Sequence, residues 1–274
     1  MRDPLTVLIS GYDSLEGPAF DRDGNLFFVN WLSSAIVRLT PSGVATEFFN
    51  TGGIPAGLAF HRDGALYVAD EGDAIHGVLR IADGQAAILV NAFEGQPLNG
   101  ANDLVFDGEG VLYFSDPWRS SLVNPVGGFY RRFPDGALER IDTGLAFPNG
   151  VALAADGSAV YLAETQHHRI LRYPIGPDGV IGPREDFAVL PGGEGPDGMA
   201  FDEAGNLYVA HYGGGQVAIF DPAGDLAGQI PVPGANVTNV AFGGPDRCTL
   251  VITDVETGSI YQTRVDVPGL RLFG

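Results

Sequence analysis

Six similar segments recur along the 274-residue chain, and this repetition constrains the fold more than any other feature. Each segment has a small or polar first residue, a short apolar strand, a Gly-bearing turn and a second apolar strand. The segment starts are separated by 40, 46, 47, 48 and 41 residues. The six first residues are Glu16, Ala56, Asn102, Asn149, Asp197 and Thr238.

Two further strands follow the first pair in most repeats, as in AIVRLT (35–40) and VATEFF (44–49). These runs are rich in β-branched and aromatic residues and are bounded by turn residues, whereas no window of a dozen residues keeps a helical period. Four strands in 40 to 48 residues are typical of a β-propeller blade. The sequence therefore predicts an all-β, six-bladed β-propeller with four antiparallel strands per blade, in one domain over residues 1–274.

The sixth repeat lacks a clear fourth strand after SIYQTRV (259–265). An orphan apolar run, LTVLI (5–9), precedes the first repeat. We expect this run to be the outer strand of the last blade, because closing the ring removes an edge that would otherwise invite aggregation.

The formal charge of −19 argues against nucleic acids and anionic membranes as partners, and nothing in the sequence indicates an obligatory protein partner. Cys248 is the single cysteine, so no intramolecular disulfide can form. The N-terminal MRDPLTVLIS has neither the pattern of a signal peptide nor that of a membrane span. A cytoplasmic protein is the expectation.

The first strand of each blade lines the central channel of a propeller, so the six first residues are expected on one ring. Four of them, namely Glu16, Asn102, Asn149 and Asp197, carry a carboxylate or a carboxamide. Unpaired carboxylates are costly to bury, and a bound divalent cation would remove that cost. Ligands that are all oxygen favour a hard ion, with Ca²⁺ as the first candidate and Mg²⁺ or Mn²⁺ as alternatives.

At these residues the chain resembles the senescence-marker-protein, gluconolactonase and luciferin-regenerating-enzyme family of six-bladed propellers. The resemblance spans nearly the whole chain in order. It is carried by EGP (16–18), NDLVFD (102–107), LYFSDP (112–117), FPNGVAL (147–153), PDGMAFDEAGNLYVA (196–210) and AFGG (241–244).

The resemblance implies a lactonase, that is, a carboxylic ester hydrolase with one catalytic divalent ion, usually Ca²⁺ or Zn²⁺, and a small-molecule lactone substrate. By position in the family's motifs, the metal ligands would be Glu16, Asn149 and Asp197. Asn102 would contact the metal, its water or the substrate. Asp197 would also be the general base or nucleophile.

One position departs from the family's pattern. Sugar-lactone members of the animal branch have an arginine where this chain has Gly100, so recognition of a hydroxyl-rich sugar by that route is in doubt. Three alternatives stay open at this point: a phosphotriesterase-type hydrolase, a strictosidine-synthase-like enzyme, and a non-enzymatic binding propeller stabilised by calcium.

The second strand of each repeat should end at the same mouth of the channel where the first begins. Those ends are Asn30-Trp31, Asp70-Glu71, Asp116-Pro117, Glu164-Thr165, His211-Tyr212 and Asp254-Val255. Turn capping is the favoured role of Asp70, Asp116 and Asp254. Together with Asn102, the expected substrate contacts are Trp31, Trp118, Tyr212 and His211, and we expect the loops 91–101 and 117–128 to form the pocket.

Overall fold

The computed structural model describes residues 4–271, which form six four-stranded antiparallel sheets arranged as the blades of a propeller. The expected fold class is confirmed. The predicted domain covers residues 1–274, and its first three and last three residues lie outside the described part of the chain.

The strands are numbered in chain order, and each blade is given from the channel outward. The first strand in the chain is β1 (Thr6–Ser10). Blade 1 contains β2 (Leu15–Phe20), β3 (Leu26–Asn30), β4 (Ala35–Leu39) and β5 (Ala45–Asn50). Blade 2 contains β6 (Pro55–Phe60), β7 (Leu66–Asp70), β8 (Gly77–Ala82) and β9 (Gln85–Val90). A small hairpin follows, made of β10 (Ala92–Phe93) and β11 (Gln96–Pro97).

Blade 3 contains β12 (Leu104–Phe106), β13 (Leu112–Asp116), β14 (Gly127–Arg132) and β15 (Leu138–Leu145). Blade 4 contains β16 (Pro148–Leu153), β17 (Ala159–Glu164), β18 (Arg169–Pro174) and β19 (Glu185–Val189). Blade 5 contains β20 (Gly195–Phe201), β21 (Leu207–Tyr212), β22 (Gln216–Phe220) and β23 (Leu226–Pro231). Blade 6 contains β24 (Val237–Gly243), β25 (Thr249–Asp254), β26 (Ser259–Arg264) and β1.

The ring is closed by the N-terminal strand, as the sequence predicts. β1 pairs with β26 in antiparallel register, with Thr6 opposite Gln262 and Ser10 opposite Ser259. The strand lies one residue further along the chain than the predicted run 5–9. Closure covers the edge of β26, which would otherwise expose unpaired backbone groups.

Helices are nearly absent, as expected: within residues 4–271 they are two three-residue 3-10 turns, Trp31–Ser33 and Thr165–His167. In this described range, no helix has the length and apolar character needed to cross a membrane.

Neighbouring blades are joined by a repeated aromatic contact that positions the inner strands. At four of the six blade junctions an aromatic residue of the second strand meets a phenylalanine near the end of the next blade's inner strand, edge to face. The ring centroids are 4.8–5.0 Å apart in the pairs Phe27–Phe60, Tyr67–Phe106, Tyr161–Phe201 and Tyr208–Phe242. In blade 3, Tyr113 packs in the same cluster as Leu153 of blade 4.

The inner strands are irregular at their entrances, where the first residues of the repeats lie. In five blades the pairing of the inner strand with the second strand shifts register there, as between Glu16 and Ala19 in β2 and between Pro196 and Met199 in β20. A bulge of this kind breaks the alternation of side chains and re-aims those within it. The bulge therefore allows Glu16, Asn149 and Asp197 to face the channel.

Glycine follows the first residue of four repeats because the inner strands approach closely at the channel. A Cβ on Gly57 would lie 2.8 Å from the carbonyl oxygen of Asn102, and a Cβ on Gly150 would clash with the carbonyl oxygen of Asp197. The other two are Gly17 and Gly198. In these four blades the close approach of the neighbouring strand leaves no room for a side chain at this position.

We expect Gly150→Ala to lower the free energy of unfolding by about 1–3 kcal/mol, because the added methyl overpacks the contact between β16 and β20. Gly108→Ala is the matched control, since a Cβ there meets no atom within 4 Å and the backbone φ is not positive. Its expected change is within about 0.5 kcal/mol. Denaturant unfolding measures both variants, and equal losses would contradict this account of the channel.

Candidate active site

The loops that lead into the inner strands are held by capping side chains at the ends of the second strands. Asp70 Oδ1 accepts hydrogen bonds from the backbone N–H groups of Ile54 (2.9 Å) and Gly72 (2.8 Å). Asp116 accepts from the N–H groups of Gly100 (2.7 Å) and Asn99 (3.0 Å). These bonds confirm the capping role and fix the backbone two residues before Ala56 and Asn102.

Capping at this position extends beyond blades 2 and 3. Asn30 accepts from the Ser14 N–H, Glu164 from the Ala146 N–H, and Asp254 from the Thr257 N–H. The capping role predicted for Asp254 is therefore confirmed as well. The Asn30 and Glu164 caps hold loops that enter inner strands, whereas the Asp254 cap holds the turn after β25.

The four predicted ring residues are all buried at the entrance of the channel. Their exposed fractions are 7% for Glu16, 8% for Asn102, 4% for Asn149 and 8% for Asp197. Burial and then the charge of Glu16 raise the pKa of Asp197, and the neighbouring Asn149 side chain lowers it. The structure thus brings Glu16, Asn149 and Asp197 together.

The other two first residues of the repeats differ from these four, although the Thr238 side chain still lowers the pKa of Glu16. Ala56 has no polar side-chain atom. Thr238 is occupied in joining blades, since its Oγ1 donates to the Leu15 carbonyl oxygen at 2.8 Å and lies 2.7 Å from Thr253 Oγ1.

Three of the four predicted ring residues have a buried oxygen that lacks a partner. Among residues 4–271, Glu16 Oε2, Asn102 Oδ1 and Asn149 Oδ1 are buried acceptors without a hydrogen bond. Buried polar groups in native proteins are almost always satisfied by protein, water or an ion. Three such oxygens at one channel entrance therefore indicate a site for a ligand that supplies positive charge or donors.

Three more polar residues belong to the cluster and were not among the predicted site residues. Asn239 Nδ2 donates to Glu16 Oε1 (2.8 Å), and Asn102 Nδ2 donates to Glu71 Oε1 (2.8 Å). Asp103 Oδ2 accepts from the Val151 N–H of the next blade (2.8 Å). The sequence does carry a signal for two of them, because Asp103 and Asn239 stand where four other repeats have glycine.

The cluster holds four carboxyl groups, and burial raises the pKa of each. The pKa is raised to about 8 for Glu16, about 7 for Glu71 and about 6 for Asp103. The pKa of Asp197 lies well above its usual value, first because of burial and then because of the negative charges of Glu16, Asp103 and Glu71. Without a bound cation, this cluster is therefore strained electrostatically.

A cavity of about 810 Å³ lies on the same face, over blades 2 to 4. Its walls include Ile54, Trp118 and Phe147, and its rim carries Asp73 and Arg119, whose side chains form an ion pair at 2.6 Å. Of the two loops expected to form the pocket, 117–128 contributes residues to this cavity, whereas no residue of 91–101 lines it. The connections at 52–54 and 72–74 take that place.

The predicted substrate contacts differ in their placement. Trp118 lines the cavity. Burial and then the charge of Asp197 raise the pKa of Tyr212, which indicates that Tyr212 lies near Asp197. Trp31 begins a 3-10 turn and does not line the cavity. His211 uses both ring nitrogens within the protein, since Nε2 donates to the Gly192 carbonyl oxygen (2.8 Å) and Nδ1 accepts from Gln216 (3.2 Å).

The surroundings of Gly100, two residues before Asn102, leave no space for an arginine at this position. A Cβ on Gly100 would lie 2.9 Å from the Cα of Glu71 and 2.9 Å from the Cβ of Trp118. Its φ of +148° also disfavours any other residue. Glu71 and Trp118 thus occupy the space that a longer side chain would need.

The opposite end of the channel opens into a larger cavity of about 1360 Å³. Each blade contributes the last large residue of its inner strand to the walls, namely Phe20, Phe60, Phe106, Leu153, Phe201 and Phe242. Asp103 and Asn239 lie at its inner end. Glu16, Asn102, Asn149 and Asp197 line neither this cavity nor the one over blades 2 to 4.

Comparison with known proteins assigns this architecture to a family. Residues 15–256 match the model of the SMP-30/gluconolactonase/LRE-like region. Lactonase drp35 of Staphylococcus aureus strain MW2 is 33% identical over 261 residues, an alignment that covers 89% of this chain and 80% of the relative.

Solved structures with the same fold include two informative neighbours. A gluconolactonase from Xanthomonas campestris has 27% identity and a TM-score of 0.84, with 96% of this chain and 89% of that chain covered. Regucalcin from Agrobacterium tumefaciens strain C58, described as a calcium-binding protein, has 24% identity and a TM-score of 0.84, with 97% and 95% covered. Because the family match extends over most of the chain, this protein belongs to the SMP-30/gluconolactonase/LRE-like family.

Proposed function

We propose that this protein hydrolyses lactones at a divalent-cation site at the channel entrance. Glu16, Asn149 and Asp197 would hold the cation, and Asn102 would contact the cation, its water or the substrate. The observation that carries the proposal is the set of three buried oxygens without partners, on Glu16, Asn102 and Asn149, beside the Asp197 carboxylate. Lactone hydrolysis is supported by the relatives named lactonase and gluconolactonase.

The donor atoms fit a hard cation. In residues 4–271 no group of three or more His, Cys, Asp or Glu side chains could hold a metal by itself. The cation would therefore need carboxamide oxygens beside the two carboxylates, a combination that suits Ca²⁺ first and Mg²⁺ or Mn²⁺ next. Zn²⁺, which the family also uses, finds no histidine or cysteine in this set.

The chain's own residues supply the proton transfer and the positioning. A bound cation would polarise the lactone carbonyl and offset the charge that develops on its oxygen. Asp197 would accept a proton from the attacking water. Asn149 lies beside the Asp197 carboxylate and lowers its pKa, and Asn239 donates to Glu16 Oε1 so that Oε2 stays free.

The mouth cavity suggests the kind of lactone. Ile54, Trp118 and Phe147 give it apolar walls, and Gly100 removes the arginine that sugar-lactone relatives of the animal branch carry there. We therefore propose a small-molecule lactone less polar than gluconolactone, with sugar lactones kept as the second class. The buried, unpaired Cys248 agrees with a reducing compartment such as the cytoplasm.

The direct test is lactone hydrolysis with and without a chelator. We expect the purified protein to open aromatic or alkyl lactones when Ca²⁺ is present, with a kcat/KM above that for gluconolactone. Chelation should abolish turnover and lower the melting temperature, and added Ca²⁺ should restore both. A chelator that changes neither would contradict the metal site. Activity toward a phosphotriester but no lactone would favour the alternative hydrolase.

We expect the stability of the metal-free protein to fall as the pH rises from about 4 to about 8. Burial holds the folded-state pKa of Glu16 near 8 and that of Glu71 near 7, above their unfolded values. The folded protein therefore binds more protons than the unfolded chain in this window, and stability decreases with pH. Saturating Ca²⁺ should flatten the slope. Melting temperatures measured from pH 4 to 8, with and without Ca²⁺, test this prediction. The same dependence of melting temperature on pH in both series would contradict it.

Asp197→Asn separates the roles of ligand and proton acceptor. The change keeps the shape and one coordinating oxygen but removes the basic carboxylate. We expect a folded protein with weakened Ca²⁺ binding and a kcat lowered by a factor on the order of 10² or more. Asn149→Asp is the contrasting variant, since the added charge should tighten Ca²⁺ binding. Near wild-type kcat for Asp197→Asn at saturating Ca²⁺ would show that Asp197 is a ligand only.

A further inference from the structure

Glu71 occupies a gap in the ring of polar residues. The first residue of the second repeat is Ala56, so the inner strand of blade 2 offers no polar atom to the channel. Glu71 follows β7 of the same blade and is only 7% exposed. The corresponding residues of the other blades are Trp31, Pro117, Thr165, Tyr212 and Val255, none of which is charged.

The side chain of Glu71 makes one contact that bears on the site. Its Oε1 accepts the hydrogen bond from Asn102 Nδ2 at 2.8 Å, in a buried environment. A carboxamide donates from its nitrogen and accepts at its oxygen. Because the NH₂ group of Asn102 is engaged by Glu71, its Oδ1 is directed away from Glu71, and this oxygen is one of the three without a partner.

The same arrangement occurs on the other side of the channel, at Glu16. Asn239 Oδ1 accepts from the Val240 N–H at 2.8 Å, which turns its Nδ2 toward Glu16 Oε1. The second carboxylate oxygen, Oε2, is again left without a partner. Asn102 and Glu16 each have one side-chain atom hydrogen-bonded to a polar neighbour and a second atom, Asn102 Oδ1 or Glu16 Oε2, without a partner.

A capping role does not account for Glu71. Its neighbour Asp70 accepts backbone N–H groups, whereas the only hydrogen bond described within residues 4–271 for the Glu71 side chain is the one to Asn102. The carboxylate is buried, and its charge acts unfavourably on Asp197. A group placed at such a cost to stability is expected to serve the site.

We propose that Glu71 is a positioning residue that turns the carbonyl oxygen of Asn102 into the channel, where it meets the cation or the substrate. The proposal rests on the proposed function of the ring. It assigns no contact with the reacting atoms to Glu71 itself. Removal of a group that orients a metal or substrate ligand typically costs 10- to 100-fold in affinity or activity.

The first test compares Glu71→Ala with Glu71→Gln. Alanine frees the Asn102 amide, and we expect kcat/KM for a lactone to fall about 10- to 100-fold. Glutamine keeps a carbonyl oxygen that accepts the same hydrogen bond, so its kcat/KM should stay within about threefold of wild type. The melting temperature of the metal-free alanine variant should not fall, because a repulsive buried charge is removed. Equal losses in both variants would show that the charge itself is needed and overturn the proposal.

A matched control removes a different carboxylate from the same mouth. Glu194 is exposed, and its charge reaches Tyr212. Glu194→Ala should leave kcat/KM unchanged. A loss comparable with that of Glu71→Ala would mean that any mouth charge matters, which contradicts a specific action through Asn102.

The second test asks whether Glu71 acts through Asn102. In an Asn102→Ala background, Glu71→Ala should cost less than about twofold, because the group that it orients is gone. A full additional loss in the double variant would place the action of Glu71 elsewhere and overturn the proposal.

Two further readouts do not depend on catalysis. In the metal-free protein, the side-chain NH₂ signals of Asn102 in a nitrogen–proton NMR spectrum should move in Glu71→Ala and return toward wild type in Glu71→Gln. Calorimetric Ca²⁺ affinity should follow the same order. If wild type shows no lactonase activity, the proposed function fails while these signals still test Glu71. An Asn102 signal that does not respond to Glu71→Ala would overturn the positioning role.

Discussion

Mutual repulsion among the carboxyl groups at the channel entrance is the interaction on which the rest of this structure depends. Six inner strands converge there so closely that glycine is needed where neighbours touch, as at Gly57 and Gly150. Into this space the chain places Glu16, Glu71 and Asp197, together with Asp103 one residue further along the channel. Burial raises their pKa values, and their charges oppose one another. Such a cluster persists in a stable fold only if the remainder of the structure holds it in place, and protonation or a bound ligand can offset its charge.

The remainder of the structure is well suited to hold it. Capping carboxylates fix entrance loops, bulges in five blades re-aim the first residues of the repeats, and edge-to-face aromatic pairs join four of the six pairs of neighbouring blades. Asn239 engages Glu16 Oε1 and Glu71 engages the NH₂ group of Asn102, while Glu16 Oε2 and Asn102 Oδ1 have no hydrogen-bond partner. A binding site built in this way is preorganised, because little has to move when a cation or a substrate arrives.

The fold could be predicted because its information is local and repeated six times. Apolar runs with a period of two and a Gly-bearing turn predict each hairpin. The repeat length of 40 to 48 residues then predicts four strands per blade. The ring of Glu16, Asn102, Asn149 and Asp197 follows from symmetry alone, since equivalent positions meet on one axis. The closing strand was predictable for the same reason, as the strand that one blade lacks.

The residues that were missed lie off this register. Asp103 and Asn239 follow the ring position by one residue, where the other four repeats have glycine. A register shift accompanies Asn239 in blade 6, but the pairing of β12 with β13 beside Asp103 is regular, so no single backbone device predicts both. Glu71 belongs to a different strand end, so its hydrogen bond with Asn102 depends on how two blades pack. The cavity walls were partly mispredicted because loop length does not reveal that 52–54 and 72–74 fold over the mouth whereas 91–101 forms its own hairpin.

The central claim is that the unpartnered oxygens hold one divalent cation. Crystals grown with Ca²⁺ and measured at a wavelength where calcium scatters anomalously test it directly. The account predicts one strong peak at the channel entrance, about 2.3–2.6 Å from Glu16 Oε2, Asn149 Oδ1 and a carboxylate oxygen of Asp197. Ordered water hydrogen-bonded to these oxygens, with no anomalous peak at saturating Ca²⁺, would contradict it.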